Sequence, residues 1–185
     1  MAQPLCRRLL MSTAVLGTAL RLCAQQSALP PSGQPSLEYQ VKAAFLLNFT
    51  RFIEWPAAEP PAAGAPFTIC ILGDDPFGVA LDQTMEGESA NGRKIVIQRS
   101  RREVGKTCQI LYVDRAEKGI TELLTGVGRG VLTVGEGESF LREGGMIAFV
   151  VENRRVRFNV NLAAARNASL NISSKLLNVA KVVER

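Results

Sequence analysis

The residue types that carry most enzyme and metal chemistry are sparse in this chain. Its 185 residues include no histidine. That absence removes Ser-His-Asp and Cys-His catalysis, histidine metal ligation and a histidine pH switch together. There are four cysteines, Cys6, Cys23, Cys70 and Cys108. No Cys-x-x-Cys spacing occurs, so a redox-active pair is not expected. The two beyond the N-terminal segment are too few for a structural zinc site. Cys70 lies inside the apolar run FTICIL (67–72), and Cys108 directly precedes QILYV (109–113). As neighbouring strands of a sheet these runs would lie roughly 4.8 Å apart, within reach of a disulfide. Closing so long a loop stabilises a fold by about 4 kcal/mol in the chain-entropy account. No metal or other cofactor is expected.

Asp74 and Asp75 follow the first of these runs, and Asp114 follows the second. Acidic residues at the carboxyl ends of parallel strands stand where open α/β sheets place ligands. The three resemble the acidic pocket of a receiver domain. That likeness fails at the fifth strand, where receivers carry a lysine and this chain reads FVVENRR (149–155). Asp74-Asp75-Pro76 reads more simply as a helix-capping turn. Trp55, Asp74 and Asp75 remain the candidate lining of a small-molecule pocket, at the strand ends or beside the indole. Gly126 to Gly130 precedes a strand instead of following one. Gly135-Glu136-Gly137 follows a strand, but Glu136 and Glu138 would repel an anion. Both read as turns. Asn48, Asn167 and Asn171 head Asn-x-Ser/Thr triplets, matches too short to carry weight. Acid, base and nucleophile are nowhere assembled, so a non-enzymatic role is expected.

The elements that must position these residues are legible from periodicity. Residues 37–54 contain no Gly or Pro, and Val41, Phe45, Asn48 and Phe52 recur at helical spacing. Leu46, Leu47, Phe49 and Ile53 make a second apolar side, the mark of a helix sandwiched in the fold or contacting a partner. Trp55-Pro56 ends it. Strands are expected at 67–72, 94–98, 109–113 and 131–134, and helices at 76–85, 116–124 and 139–142. Residues 146–152 and 156–160 suit an antiparallel hairpin joined by Asn153-Arg154-Arg155. Helices at 162–166 and 174–182 close the chain, with Asn161 and Ser173 as N-caps. This alternation predicts a single α/β domain: a mainly parallel sheet with helices on both faces and a C-terminal antiparallel hairpin.

The first 24 residues have the order of a secretory signal peptide: Arg7-Arg8, an apolar stretch from Leu9 to Leu20, and Ala24 before Gln25. The stretch is shorter than the roughly 20 residues a membrane span needs. Leu22 argues against a lipid anchor on Cys23, so the mature chain is expected to begin near Gln25. A flexible lead-in (25–36) then precedes the folded domain (37–185). Removing Arg7, Arg8 and Arg21 lowers the formal net charge from +5 to +2 (5 − 3). So mild a charge makes no case for nucleic acid. An oxidising destination also favours pairing of Cys70 with Cys108.

Four stretches complete the reading: VKAAFLLNFTRFIEWP (41–56), FTICILGDDPFG (67–78), FVVENRRVRFNVNLAAAR (149–166) and ISSKLLNVAKV (172–182). They resemble the YfiR-like family of bacterial periplasmic proteins, over about Leu37 to Val182. The resemblance implies a repressor that binds the periplasmic sensor region of a YfiN-type membrane diguanylate cyclase and so lowers cyclic di-GMP and biofilm growth. Another membrane receptor, such as a histidine kinase served by a small-molecule sensor subunit, is the alternative partner, and a homodimer is a further candidate. The family repressor has two disulfides. Cys70 and Cys108 match one, while the second would fall near Gly145 to Glu152, where this chain has no cysteine. The polar residues Asn159, Asn161, Arg166 and Lys175 are expected to line one partner-binding surface; the competing reading is that Asn161 and Ser173 only cap helices.

Overall fold

The computed structural model describes residues 36–56, 64–101 and 107–184. The expected signal segment (1–24) and all of the lead-in but Ser36 lie outside the described residues. The chain runs α1 (Leu37–Phe52), β1 (Ile53–Glu54), β2 (Phe67–Leu72), α2 (Val79–Met85), β3 (Ser89–Ala90) and β4 (Arg93–Ser100). It continues β5 (Cys108–Val113), α3 (Ile120–Thr125), β6 (Leu132–Glu136), α4 (Glu138–Arg142) and β7 (Ile147–Glu152). The last elements are β8 (Arg155–Asn161), α5 (Leu162–Asn167), β9 (Asn171–Ile172), α6 (Ser174–Leu177) and β10 (Val182–Glu184).

Eight strands form one sheet in the order β10-β8-β7-β6-β5-β2-β4-β3. The five from β4 to β7 are parallel, the arrangement that strands alternating with helical crossovers require. All six residues of β2 are buried, as expected of a strand covered on both faces. Its side chains alternate between two cores. Phe67, Ile69 and Ile71 face the layer containing α1 and α2, while Cys70 and Leu72 face Phe140 and Leu141 of α4. On the α1 side, Phe45 and Phe49 pack with Phe149 and Phe158 at centroid distances of 5.3 to 6.0 Å. Each fully buried aromatic of this kind contributes about 1.5–3 kcal/mol over an exposed one.

On the opposite face the Phe140 ring is wedged between two glycines. A Cβ added at Gly135 would come within 2.5 Å of the ring, and one at Gly145 within 2.2 Å. Gly135 belongs to β6 itself, not to the turn its Gly-Glu-Gly surroundings suggest.

Besides the later starts of α2 at Val79 and α3 at Ile120 and the added β3, the structure departs from the expected elements in three places. The first helix stops at Phe52, because Ile53 and Glu54 pair antiparallel with Ile172 and Asn171. The hairpin turn is two residues long, with Asn153 and Arg154 at φ 50° and 60°. Two successive left-handed residues give the twist that paired strands favour, so Arg155 is already in β8. The final helix ends at Leu177, and Val182 to Glu184 add a strand parallel to β8. β-branched valines suit that edge, and the backbone of β8 offers it a ladder.

Candidate functional site

Six residues per strand separate the sheet's two ends, roughly 20 Å at strand rise. The expected pocket residues fall at opposite ends. Trp55 sits by the amino ends of β2 and β5, where its indole N–H donates to the Gln109 carbonyl at 3.2 Å. Its ring stands edge-on to Phe67 with centroids 5.0 Å apart. Asp74 and Asp75 lie beyond the carboxyl end of β2. Asp75 accepts the Phe77 N–H at 2.8 Å and pairs with Arg99 at 2.7 Å. Asp74 is exposed and faces Arg101 at 3.2 Å. One pocket built from Trp55, Asp74 and Asp75 is therefore ruled out by their separation, and both aspartates serve turns and ion pairs. Asp114 folds onto its own loop, accepting the Ala116 N–H at 2.9 Å. Gly73, whose φ is +92°, is closely packed by this loop: an added Cβ would lie 2.6 Å from the Glu117 carboxylate and 2.9 Å from the Asp114 side chain.

The charged cluster at this end centres instead on Lys42 and Glu136. α1 packs on the sheet face, and its Lys42, only 1% exposed, reaches Glu136 at the end of β6. Its ammonium lies 2.7 Å from Glu136 Oε1 and 2.5 Å from Glu38 Oε1, one helical turn back. The same Glu136 oxygen accepts the Tyr112 hydroxyl at 2.6 Å and the Tyr39 hydroxyl at 3.2 Å. The Lys42 ammonium also sits over the Tyr39 ring, 4.3 Å from its centroid. One carboxylate oxygen thus gathers three donors from α1 and β5.

These contacts set the proton affinities. Burial alone would raise the Glu136 carboxyl, but hydrogen bonds from Lys42 and Tyr112 outweigh it and hold the group below its ordinary 4.5. Burial, followed by the Glu136 charge, pushes the Tyr39 hydroxyl up to about 12 and drives Tyr112 up as well. Both tyrosines remain neutral donors at physiological pH, and Glu136 remains an anion. A polar cleft of about 710 Å³ opens beside the cluster, bordered by Arg115, Ser139, Glu152 and Lys181. Such a site can hold a small polar molecule or fix α1 to the sheet. Its tyrosines are poor bases, since ionising either one opposes the adjacent carboxylate. Among the described residues, no three of His, Cys, Asp and Glu gather as a metal-ligand set.

Sequence reasoning missed this cluster. The Glu38–Lys42 spacing of four residues is a readable helix-surface pair, but nothing local says that Lys42 faces inward onto Glu136. The expected cystine is present: Cys70 and Cys108 are bonded, with Cα atoms 5.8 Å apart, inside the α4-side core. Asn161 and Ser173 cap their helices, accepting the Ala164 and Leu176 N–H groups at 2.9 and 3.3 Å. Arg166 and Lys175 are exposed, and Asn161 is half-buried. Asn159 is buried at 3% and cannot line a free surface, because β10 covers β8 with Val182 opposite it. Its Oδ1 has no hydrogen-bond partner among the described residues.

A profile of the YfiR/HmsC-like proteins matches residues 39–181, nearly all of the described domain. The chain belongs to the YfiR/HmsC-like family. Members of this family are periplasmic regulators of diguanylate cyclases, regulatory and not catalytic. No curated protein matches the chain. Among solved structures, a conserved domain protein from Vibrio cholerae O1 biovar El Tor aligns with a TM-score of 0.52 at 9% identity. The alignment covers 79% of this chain and 60% of that one, and at such identity it shows a shared fold alone. No described helix of this YfiR/HmsC-like chain is long and apolar enough to cross a membrane.

Proposed function

We propose that this chain is a periplasmic regulatory subunit that binds the sensor region of a membrane diguanylate cyclase and lowers cyclic di-GMP output. Family membership across residues 39–181 is the observation that carries the reading. It agrees with a buried polar centre whose tyrosines are neutral and whose one lysine is held by two carboxylates, a constellation built for position and not for turnover. In this reading the N-terminal segment is removed on export, and the cystine forms in the oxidising compartment. Arg166 and Lys175, with the half-buried Asn161, are the proposed grip on the receptor. Titration calorimetry of the mature chain against the periplasmic domain of a membrane cyclase tests the proposal. A saturable complex is expected; no heat at micromolar concentrations of both proteins contradicts it.

A second reading is a small-molecule sensor subunit serving another receptor, such as a histidine kinase. The cleft beside Lys42 and Glu136 favours it, since open α/β sheets place ligands outside the carboxyl ends of their strands. A thermal-shift screen of small zwitterions separates the two. A hit lost in Glu136→Gln supports a sensor, and no hit leaves protein binding as the function.

A further inference from the structure

An apolar trough along the outer edge of α1 has no partner in the fold. Leu37, Val41 and Phe45 follow one another at intervals of four residues, on one helix face. With Val151 of β7 and Val179 they line a trough of about 840 Å³. Leu37 is 74% exposed, Val151 52% and Val179 54%. Single exposed aliphatic residues are ordinary, whereas a contiguous row in a concavity marks an interaction site. Arg154, Arg155 and Arg157 of the β7–β8 hairpin border it, and none makes an ion pair among the described residues. Glu38 also borders the trough, but the Lys42 ammonium engages it. The rim is therefore net positive.

We propose that this trough docks an acidic amphipathic helix of a partner protein, its apolar row in the groove and its carboxylates on the three arginines. Charge separates this occupant from the others. A second copy meeting it across a twofold axis would set the arginines against themselves. Residues 1–35 of the chain contain no aspartate or glutamate to answer them. A flat anionic bilayer meets the rim but not the floor of a concavity. A small amphiphile would stay largely in water, where ligand pockets bury most of their ligand. A helix laid in a groove reads out as anchors at intervals of three or four residues, matching the spacing along α1.

The inference rests on the chain being a binding protein. Its test needs no cyclase, so the trough and the regulator role fail separately. The probe is a fluorescein-labelled helical peptide of about 18 residues with leucines on one face and glutamates flanking them. Its counterpart carries lysine at every glutamate. Anisotropy titration with the full chain should show the acidic peptide binding at least about tenfold tighter than the basic one, the gap narrowing as salt rises. Val151→Glu and Arg157→Glu, both at exposed positions, should each weaken the acidic peptide about tenfold with an unchanged melting curve. Arg157→Glu decides the matter alone if Val151→Glu melts early. Equal binding of the two peptides, binding of neither, or unchanged binding by the variants overturns the proposal. So does capture by phosphatidylglycerol vesicles that the acidic peptide cannot displace, or a sedimenting dimer that Val151→Glu dissolves.

Discussion

Replacing Lys42 by methionine perturbs the buried centre most directly. Methionine keeps much of the apolar stem and removes the charge. The lysine side chain is 1% exposed and that of Glu136 11%, so the variant leaves a nearly dry carboxylate with two tyrosine hydroxyls as donors. Removing one member of a buried pair costs about 3–5 kcal/mol. The retained tyrosines and the slight water contact of Glu136 place this case near the lower end. A loss of about 3 kcal/mol lowers the melting midpoint by about 6–12 °C in a domain of this size. Urea titration under non-reducing conditions reads it as a shift in midpoint at constant slope. The double variant Lys42→Met with Glu136→Gln removes the orphaned charge, so it should be more stable than the sum of the single losses by about 1–3 kcal/mol. Strict additivity, or a Lys42→Met loss under about 1 kcal/mol, refutes the reasoning.

The pH dependence follows from the same contacts. A carboxyl held lower in the folded chain than in the unfolded one stabilises fully above the unfolded value. Its contribution is lost as pH falls through the folded value. Because Glu136 is held below 4.5, the gap between the parent chain and Lys42→Met should be full at neutral pH and close on acidification below that value. Tyr39 works in the other direction. Raised from 10.0 to about 12, it stabilises fully below 10.0, and that contribution disappears as pH climbs to about 12. An acid-independent gap contradicts the assignment of Glu136 as the anion.

Three further outcomes are expected. Non-reduced peptide mapping should show Cys70 linked to Cys108, and Cys70→Ser with Cys108→Ser should lower unfolding free energy by about 4 kcal/mol in urea. Gly145→Ala forces a Cβ into the Phe140 ring and should cost about 1–3 kcal/mol by the same assay. Arg166→Ala should weaken the cyclase-domain complex by about 1 kcal/mol or more in calorimetry, while its melting midpoint stays within the small range of exposed substitutions.

Short apolar runs and helical periodicity made the sheet and α1 readable, and of the two expectations for the apolar sides of α1, a place in the fold or contact with a partner, its packing on Phe149 and Phe158 shows the first. The cystine was readable because parallel strands order their neighbours. The Lys42–Glu136 centre was not, since its members stand 94 positions apart and carry no local trace of the contact. Asn159 misled for a related reason. A polar residue in a hairpin strand looks exposed until β10, a strand the sequence reading lacked, is laid beside it. The separation of Trp55 from Asp74 and Asp75 depends on strand direction, which places residues close in sequence order at opposite ends of β2. Short elements such as β1 and β9 exist only as each other's partners, so no window of sequence announces them.

The central claim is regulation of a membrane cyclase, and cyclic di-GMP measured in cells tests it most directly. The full chain would be co-expressed with a membrane diguanylate cyclase that carries a periplasmic sensor region, with a version lacking residues 1–24 as the control. Regulation from the periplasm predicts that cyclic di-GMP falls with the exported chain and stays at the cyclase-alone level with the unexported one. Equal levels in all three strains, with the exported chain present and oxidised, would contradict the account.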